Sequence, residues 1–334
     1  MLEDETTVTI TGASLGDNGD PRRAAAIRWR LSEALGDPRA GEFVGLQPVE
    51  DPPEGHDHTQ KRKQMAIVES HAHLYSEDEQ RYPTADNPSR PPAGTGTVEH
   101  LERMREEVGI THVVAVQTFS FYGHDNGLVA DSVAAHPEWM VGVCNLPSDD
   151  PAAPDELARL VEGGGVRGLR LEHPSGGGPF YHPGSVALCS QARELELVVN
   201  IHADGTDFYP HAARLLTEFP ELTFCLDHSG YQRPDKPDIE AAVLALAGMR
   251  NLRLKMSFWS EQDAEYVAIG RRLLDAFGPD RCMWGGNFPG EHWHPKLSYG
   301  DHLAVMRDEI CRCQSEREAT LEATPLRVWF PHQA

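Results

Sequence analysis

His71-Ala72-His73 is the first stretch of the chain whose residue types and spacing could do chemistry. It closes a short apolar run, Met65-Ala66-Ile67-Val68, that reads as a buried strand, and polar, turn-rich sequence follows at once. Side chains at i and i+2 of a strand point to the same side, so the two imidazoles would converge just beyond the strand's carboxyl end. That arrangement suits metal ligation or polarisation of a carbonyl. A lone His-x-His also arises often by chance, with one ring hydrogen-bonded in a core and the other on the surface. What accompanies the pair therefore decides its meaning.

The elements that must position it follow a regular order. From Met65 onward a short Val/Ile/Leu-rich run, a polar loop and an amphipathic stretch closed by Gly or Pro repeat in turn. Strands are predicted at residues 65–70, 111–118, 139–146, 166–171, 195–201, 222–227, 252–257 and 282–286. Helices are predicted at 98–108, 127–135, 155–162, 184–194, 207–219, 237–249 and 262–277, with a last helical region from 299 to about 322. Nearly continuous apolar strands suit a parallel sheet covered on both faces. Eight alternations over roughly 270 residues point to an α/β fold of the (β/α)8 TIM-barrel type. No Gly-x-Gly-x-x-Gly follows the first strand, so nothing indicates a dinucleotide fold. Gly163-Gly164-Gly165 precedes a strand and reads as a helix stop with a tight turn.

In such a barrel the site is built at the carboxyl ends of the strands. In strand order those ends hold His71 and His73, then Gln117 with a loop carrying Tyr122, His124, Asp125 and Asn126, then Arg170, Glu172 and His173. They continue with His202 and Asp204, Asp227-His228, Lys255 and Ser257, and Asn287 followed by His292 and His294. Several have ordinary alternatives: Asn126 as a helix cap, Lys255 as a snorkelling or paired cation, His173-Pro174 as a turn. His202 and His228 stand just past buried runs and need partners there.

Taken in order, several motifs resemble the successive signatures of the amidohydrolase superfamily. They are Val68-Glu69-Ser70-His71-Ala72-His73, Val166-Arg167-Gly168-Leu169-Arg170, Asn200-Ile201-His202, Leu226-Asp227-His228-Ser229-Gly230 and Met283-Trp284-Gly285-Gly286-Asn287-Phe288-Pro289. Within it they are similar to the amidohydrolase-related branch of 2-pyrone-4,6-dicarboxylate lactonases, sugar lactonases and certain metal-dependent decarboxylases. The stretch from Val116-Gln117 to Asp125-Asn126 is particularly similar to the first of these groups. The resemblance covers Met65 to Phe330 and implies a barrel enzyme acting on a small molecule. Where the family normally ends its eighth strand with an aspartate that takes a proton from the attacking water, this chain has Asn287. An amide cannot serve as a base near neutral pH.

The expected function is a hydrolase that opens a lactone or cyclic ester of a small, carboxylated, anionic substrate. His71, His73 and His202 would hold one divalent metal, zinc or manganese; three neutral imidazoles and a water make a sound zinc site without the aspartate. Part of the branch is metal-independent, and there the resemblance implies that the histidines polarise the carbonyl directly. His228 would stabilise the developing oxyanion, and Asn287 would orient the water. Arg170 would clamp a substrate carboxylate, Tyr122 and His124 would reach the substrate from their loop, and Gln117, Glu172, His173, Lys255 and His292 would complete its contacts. A replacement base is expected among Glu172, His173, His292 and His294. The alternatives are a lyase on the same scaffold, either a decarboxylase or a hydratase/dehydratase, and a catalytically impaired ligand-binding barrel.

The composition bounds the partners. A formal charge of −22 on 334 residues argues against nucleic acid or an anionic membrane, both bound through basic clusters. No run of about 18 apolar residues exists to span a bilayer, and the acidic Met1-Leu2-Glu3-Asp4-Glu5 is not a secretory signal. Cys144, Cys225 and Cys282 lie in apolar runs and Cys311 and Cys313 read as a helix-face pair, which favours a reduced, cytoplasmic protein. A homo-oligomer is compatible with all of this. Residues 1–64 differ in composition: a single helix is predicted at 21–35, and His56-Asp57-His58 sits in a polar run with nothing to fix its geometry. The segment is read as an N-terminal extension to a barrel of residues 65–334.

Overall fold

The computed structural model describes residues 7–9, 28–30, 65–202, 205–257 and 264–332. The chain divides into two compact units, Met1–Lys61 and Arg62–Ala334. In the first, strands β1 (Thr7–Thr9) and β2 (Arg28–Arg30) pair antiparallel, with Val8 opposite Trp29. The helix predicted at 21–35 is therefore corrected at residues 28–30, where strand pairing overrides helix propensity. The rest of that helix, His56-Asp57-His58 and Asp204 lie outside the described residues.

The second unit contains eight parallel strands, each hydrogen-bonded to the next in sequence. They are β3 (Val68–Ala72), β4 (His112–Val116), β5 (Met140–Asn145), β6 (Val166–Leu171), β7 (Val198–Ile201), β8 (Phe224–Leu226), β9 (Leu252–Met256) and β10 (Cys282–Trp284). A parallel bridge from Ala72 to Phe288 links the last strand's loop back to the first, closing a (β/α)8 barrel. Helices fill the connections. The first, Val98–Val108, starts where the Thr97 side chain accepts from the His100 N–H and stops where Gly109 turns left-handed.

After Tyr299 the expected single helical region is interrupted. A helical stretch ends at Ile310, and helix resumes at Gln314 and runs on to Trp329. Cys311 and Cys313 flank that break instead of sharing a helix face; one is buried, the other exposed, and all six cysteines are free thiols. Among the described residues no helix is long and apolar enough to cross a membrane.

Two apolar layers support the barrel. The outer one packs strands against helices. The inner one gathers Val68, Val114, Val116, Val141, Val143, Val198, Cys225 and Met283 around Trp329 and Phe330. The indole fits because position 168 is glycine: a Cβ there would stand 2.9 Å from the Trp329 ring. Two residues further along the inward-facing positions, the lining changes to Asn145, Arg170, Asn200, Asp227 and Lys255, all buried. An apolar plug thus underlies a polar layer, and the site stands on that layer.

Candidate active site

Strand β3 reaches the site through an irregularity. Val68 faces the inner core, so strict alternation would send residue 71 outward. The pairing register shifts between Glu69 and Ala72, inserting one residue, and His71 and His73 both turn inward. The bulge leaves the His71 N–H without a ladder partner, and the Glu69 carboxylate accepts it at 2.7 Å. The same carboxylate accepts from the Gly286 N–H at 2.8 Å and from the Tyr299 hydroxyl. The His73 N–H donates to the Phe288 carbonyl at 2.8 Å. Glu69 therefore ties the first strand to the loop after the last. Burial pushes its carboxyl up to about 7 in spite of these hydrogen bonds.

The imidazoles form a buried cluster. His73 Nδ1 lies 2.9 Å from the Val116 carbonyl, which makes that nitrogen a donor and leaves Nε2 as an acceptor 3.2 Å from His71 Nε2. The His228 ring is 4.4 Å from that of His71 between centroids, and its Nδ1 lies 2.7 Å from Ser257 Oγ. Burial pushes His71 down to about 3 and holds His73 and His228 well below the usual imidazole range. All three are neutral near pH 7. His228, Ser229 and Tyr231 adopt left-handed φ of +54°, +48° and +58°, and Asn287 adopts +51°. Non-glycine residues held there carry strain, which concentrates at functional sites.

Beneath the cluster lies Asp227. Arg170 Nε donates to its Oδ2 at 3.0 Å, while Lys255 Nζ and His71 Nδ1 lie 3.5 and 3.4 Å from Oδ1. Burial by itself would raise this carboxyl, but the Lys255 charge, His71 and Arg170 hold it well below the carboxylate range. Lys255 Nζ also stands 4.9 Å over the Trp329 ring. Arg170 and Lys255, expected as substrate contacts, are buried, with 4% and 0% of their surface exposed, and both face Asp227.

At the mouth, Glu172 Oε1 lies 3.2 Å from His202 Nδ1 and 3.4 Å from Arg170 Nη1. Burial would raise Glu172, but the His202 contact and the Arg170 charge hold it at about 2, so it is ionised. The other ring nitrogen of His202, Nε2, is in short hydrogen-bond contact with the Tyr231 hydroxyl. His124 spans Asn145 Oδ1 (3.2 Å) and Ser175 Oγ (3.3 Å).

The remaining expected residues are placed as follows. Gln117 donates to the Gly123 and Asp125 carbonyls and shapes the loop. Asn126 bonds the backbone of Asn145 and leaves the following helix without a side-chain cap. The Tyr122 hydroxyl accepts from the Ser76 N–H in a buried position. His173 is exposed beside Phe180 and Phe208, and His292 meets Ser89 Oγ at 3.2 Å. His294 is buried against His302. Asn287 is fully buried, with neither amide atom hydrogen-bonded by the described residues.

The three-histidine metal set is not assembled. His202 directs its two ring nitrogens to Glu172 and Tyr231, and among the described residues no group of three or more His, Cys, Asp or Glu is arranged to hold a metal ion. Glu69, Asn145, Asn200 and Tyr231 were not expected. The two asparagines carried a signal, as polar residues at inward positions within apolar runs. Tyr231 carried none, since its place depends on the left-handed turn before it.

The comparisons with known proteins bear on the family and the fold. A D-galactarolactone isomerase of Agrobacterium fabrum is 26% identical over 257 residues, covering 71% of this chain and 85% of that one. A 2-pyrone-4,6-dicarboxylate hydrolase of Comamonas testosteroni is 25% identical over 296 residues, covering 80% and 90%. Among solved structures, an Acinetobacter baumannii protein assigned as a 2-pyrone-4,6-dicarboxylic acid hydrolase, with citric acid bound, superposes with a TM-score of 0.66 at 21% identity, covering 80% of this chain and 100% of its own. A Burkholderia multivorans amidohydrolase with bound zinc gives 0.63 at 17%, covering 79% and 99%. At these identities the structures establish the fold. The family described as Amidohydrolase matches residues 68–330, from the strand that carries His71 to the end of the helix that plugs the barrel, and the chain belongs to that family.

Proposed function

We propose that this enzyme opens a lactone or related cyclic ester of a small carboxylated compound, with His202 as the base. One observation carries the reading: the ionised Glu172 backs His202 at the mouth of the barrel, beside the buried imidazoles and in a chain whose eighth strand ends in an amide. A carboxylate at Nδ1 fixes the imidazole tautomer and stabilises the imidazolium formed on proton uptake. The neutral His228, with Nδ1 accepting from the Ser257 hydroxyl, would then donate its Nε2–H to the carbonyl oxygen, whose charge grows in the transition state, while His71 and His73 hold the cluster together through their mutual contact. No step requires a metal. The charges of Arg170 and Lys255 balance those of Asp227 and Glu172, so recognition of an anionic substrate would fall to the imidazoles and the loop carrying His124. The name of one relative favours a second form of the same chemistry, an intramolecular acyl shift in which a substrate hydroxyl replaces water.

The test is turnover of a panel of five- and six-membered carboxylated lactones in ¹⁸O-water. Hydrolysis places the label in the new carboxylate, and an acyl shift gives an unlabelled isomer. Replacing His202 with Asn should lower kcat by about 10²–10⁴-fold, the range for general acid–base groups. A chain that opens no lactone, or that releases carbon dioxide from an aromatic acid, would overturn the proposal. Asn287→Asp supplies a second reading: no gain is expected, because the base is already present.

A further inference from the structure

We infer that Tyr231 is the residue that passes protons between the reacting oxygens and His202, making Glu172, His202 and Tyr231 one relay. The inference rests on the lactone reading for its substrate and on geometry for its parts. With Glu172 Oε1 3.2 Å from Nδ1, the imidazole hydrogen belongs on Nδ1, and Nε2 accepts from the Tyr231 hydroxyl. A phenol in that position donates its proton to Nε2 and keeps oxygen lone pairs that can accept one, and the residue is only half-buried. Its ring also stands 4.9 Å from that of His228, the imidazole assigned to the carbonyl oxygen.

The backbone is committed to this placement. Tyr231 ends a turn that begins at Asp227, and its φ of +58° is one that aromatic residues rarely adopt. Gly230 sits at φ +77°, where any side chain is strained, and a Cβ there would also crowd the Tyr209 hydroxyl. The Tyr231 N–H donates back to the His228 carbonyl at 2.9 Å.

The steps balance. Water adds through oxygen to the lactone carbonyl carbon while its proton moves to Tyr231 Oη and the phenolic proton moves to His202 Nε2. The resulting imidazolium pairs with Glu172. The ring C–O bond then breaks, the departing alkoxide takes a proton from Tyr231, and His202 returns one to the phenol. The sum is lactone plus water giving hydroxy acid, with both side chains restored. In an acyl shift a substrate hydroxyl replaces the water.

Tyr231→Phe keeps the ring and removes only the hydroxyl. It should lower kcat by about 10²-fold or more with KM little changed, and Y231F/H202N should be no slower than the slower single variant, as members of one unit behave. A Y231F enzyme retaining kcat within about threefold, or losses that multiply in the double variant, would overturn the relay. Long-range ¹⁵N–¹H NMR of the imidazoles supplies a readout without substrate. The His202 signals should show the Nδ1–H tautomer, with an Nε2 shift that moves in Y231F; an Nε2–H tautomer or an unmoved shift overturns the pairing. If the wild type opens no lactone while the NMR pattern holds, the functional reading has failed and the relay has not.

Discussion

The charge network beneath the imidazoles permits a quantitative test on folding alone. Asp227 is fully buried between two cations, with Arg170 Nε at 3.0 Å and Lys255 Nζ at 3.5 Å. Asp227→Asn keeps the shape and removes the charge, leaving both cations facing an amide without solvent to screen them. Removing one partner of a buried ion pair costs about 3–5 kcal/mol, which in a domain of this size lowers Tm by roughly 6–20 °C. Lys255→Met alone should cost less, because Arg170 still pairs Asp227 and the methionine packs on Trp329. The double variant removes opposite charges together, so its loss should fall short of the sum of the singles by about 1–3 kcal/mol, the coupling expected for groups in contact. Thermal unfolding followed by circular dichroism or calorimetry measures all four proteins. Losses that add to within about 0.5 kcal/mol would show that Asp227 and Lys255 do not interact, and the account of the polar layer would fall.

Two further outcomes follow from the site. Because His202 faces Glu172 and Tyr231, dialysis against a chelator should leave lactone opening intact, with no stoichiometric transition metal by elemental analysis. Loss of activity restored by zinc or manganese would return His202 to a ligand's role. Glu69→Gln should change the pH dependence of stability with a defined sign. Burial raises the Glu69 carboxyl from 4.5 to about 7, so between those values it is ionised only in the unfolded chain. Its contribution is greatest below the lower value and is lost as pH rises through the upper one, by roughly 3 kcal/mol in all. The stability of the wild type relative to E69Q should therefore fall between pH 4.5 and 7 and level off above; a flat or rising difference refutes the assignment.

Much of this was legible in the chain itself. Apolar runs with a turn signal at each end determined eight strands and their order, because a parallel strand buried on both faces leaves a continuous hydrophobic record. The strand ends likewise located His71, His73, His202 and His228, since a polar residue just past a buried run has one place to go. Side-chain partnership was decided only in three dimensions. For Arg170 and Lys255, sequence shows a cation but not the carboxylate opposite it, and Asp227 lies 57 residues from Arg170. A one-residue bulge, capped by Glu69, set the direction in which His71 points. Tyr231 came to His202 through a left-handed turn whose φ values no local propensity predicts for His, Ser and Tyr. Hydrophobic pattern specified the barrel because burial acts on each strand separately, whereas the relay depends on distances between strands, which only the closed barrel sets.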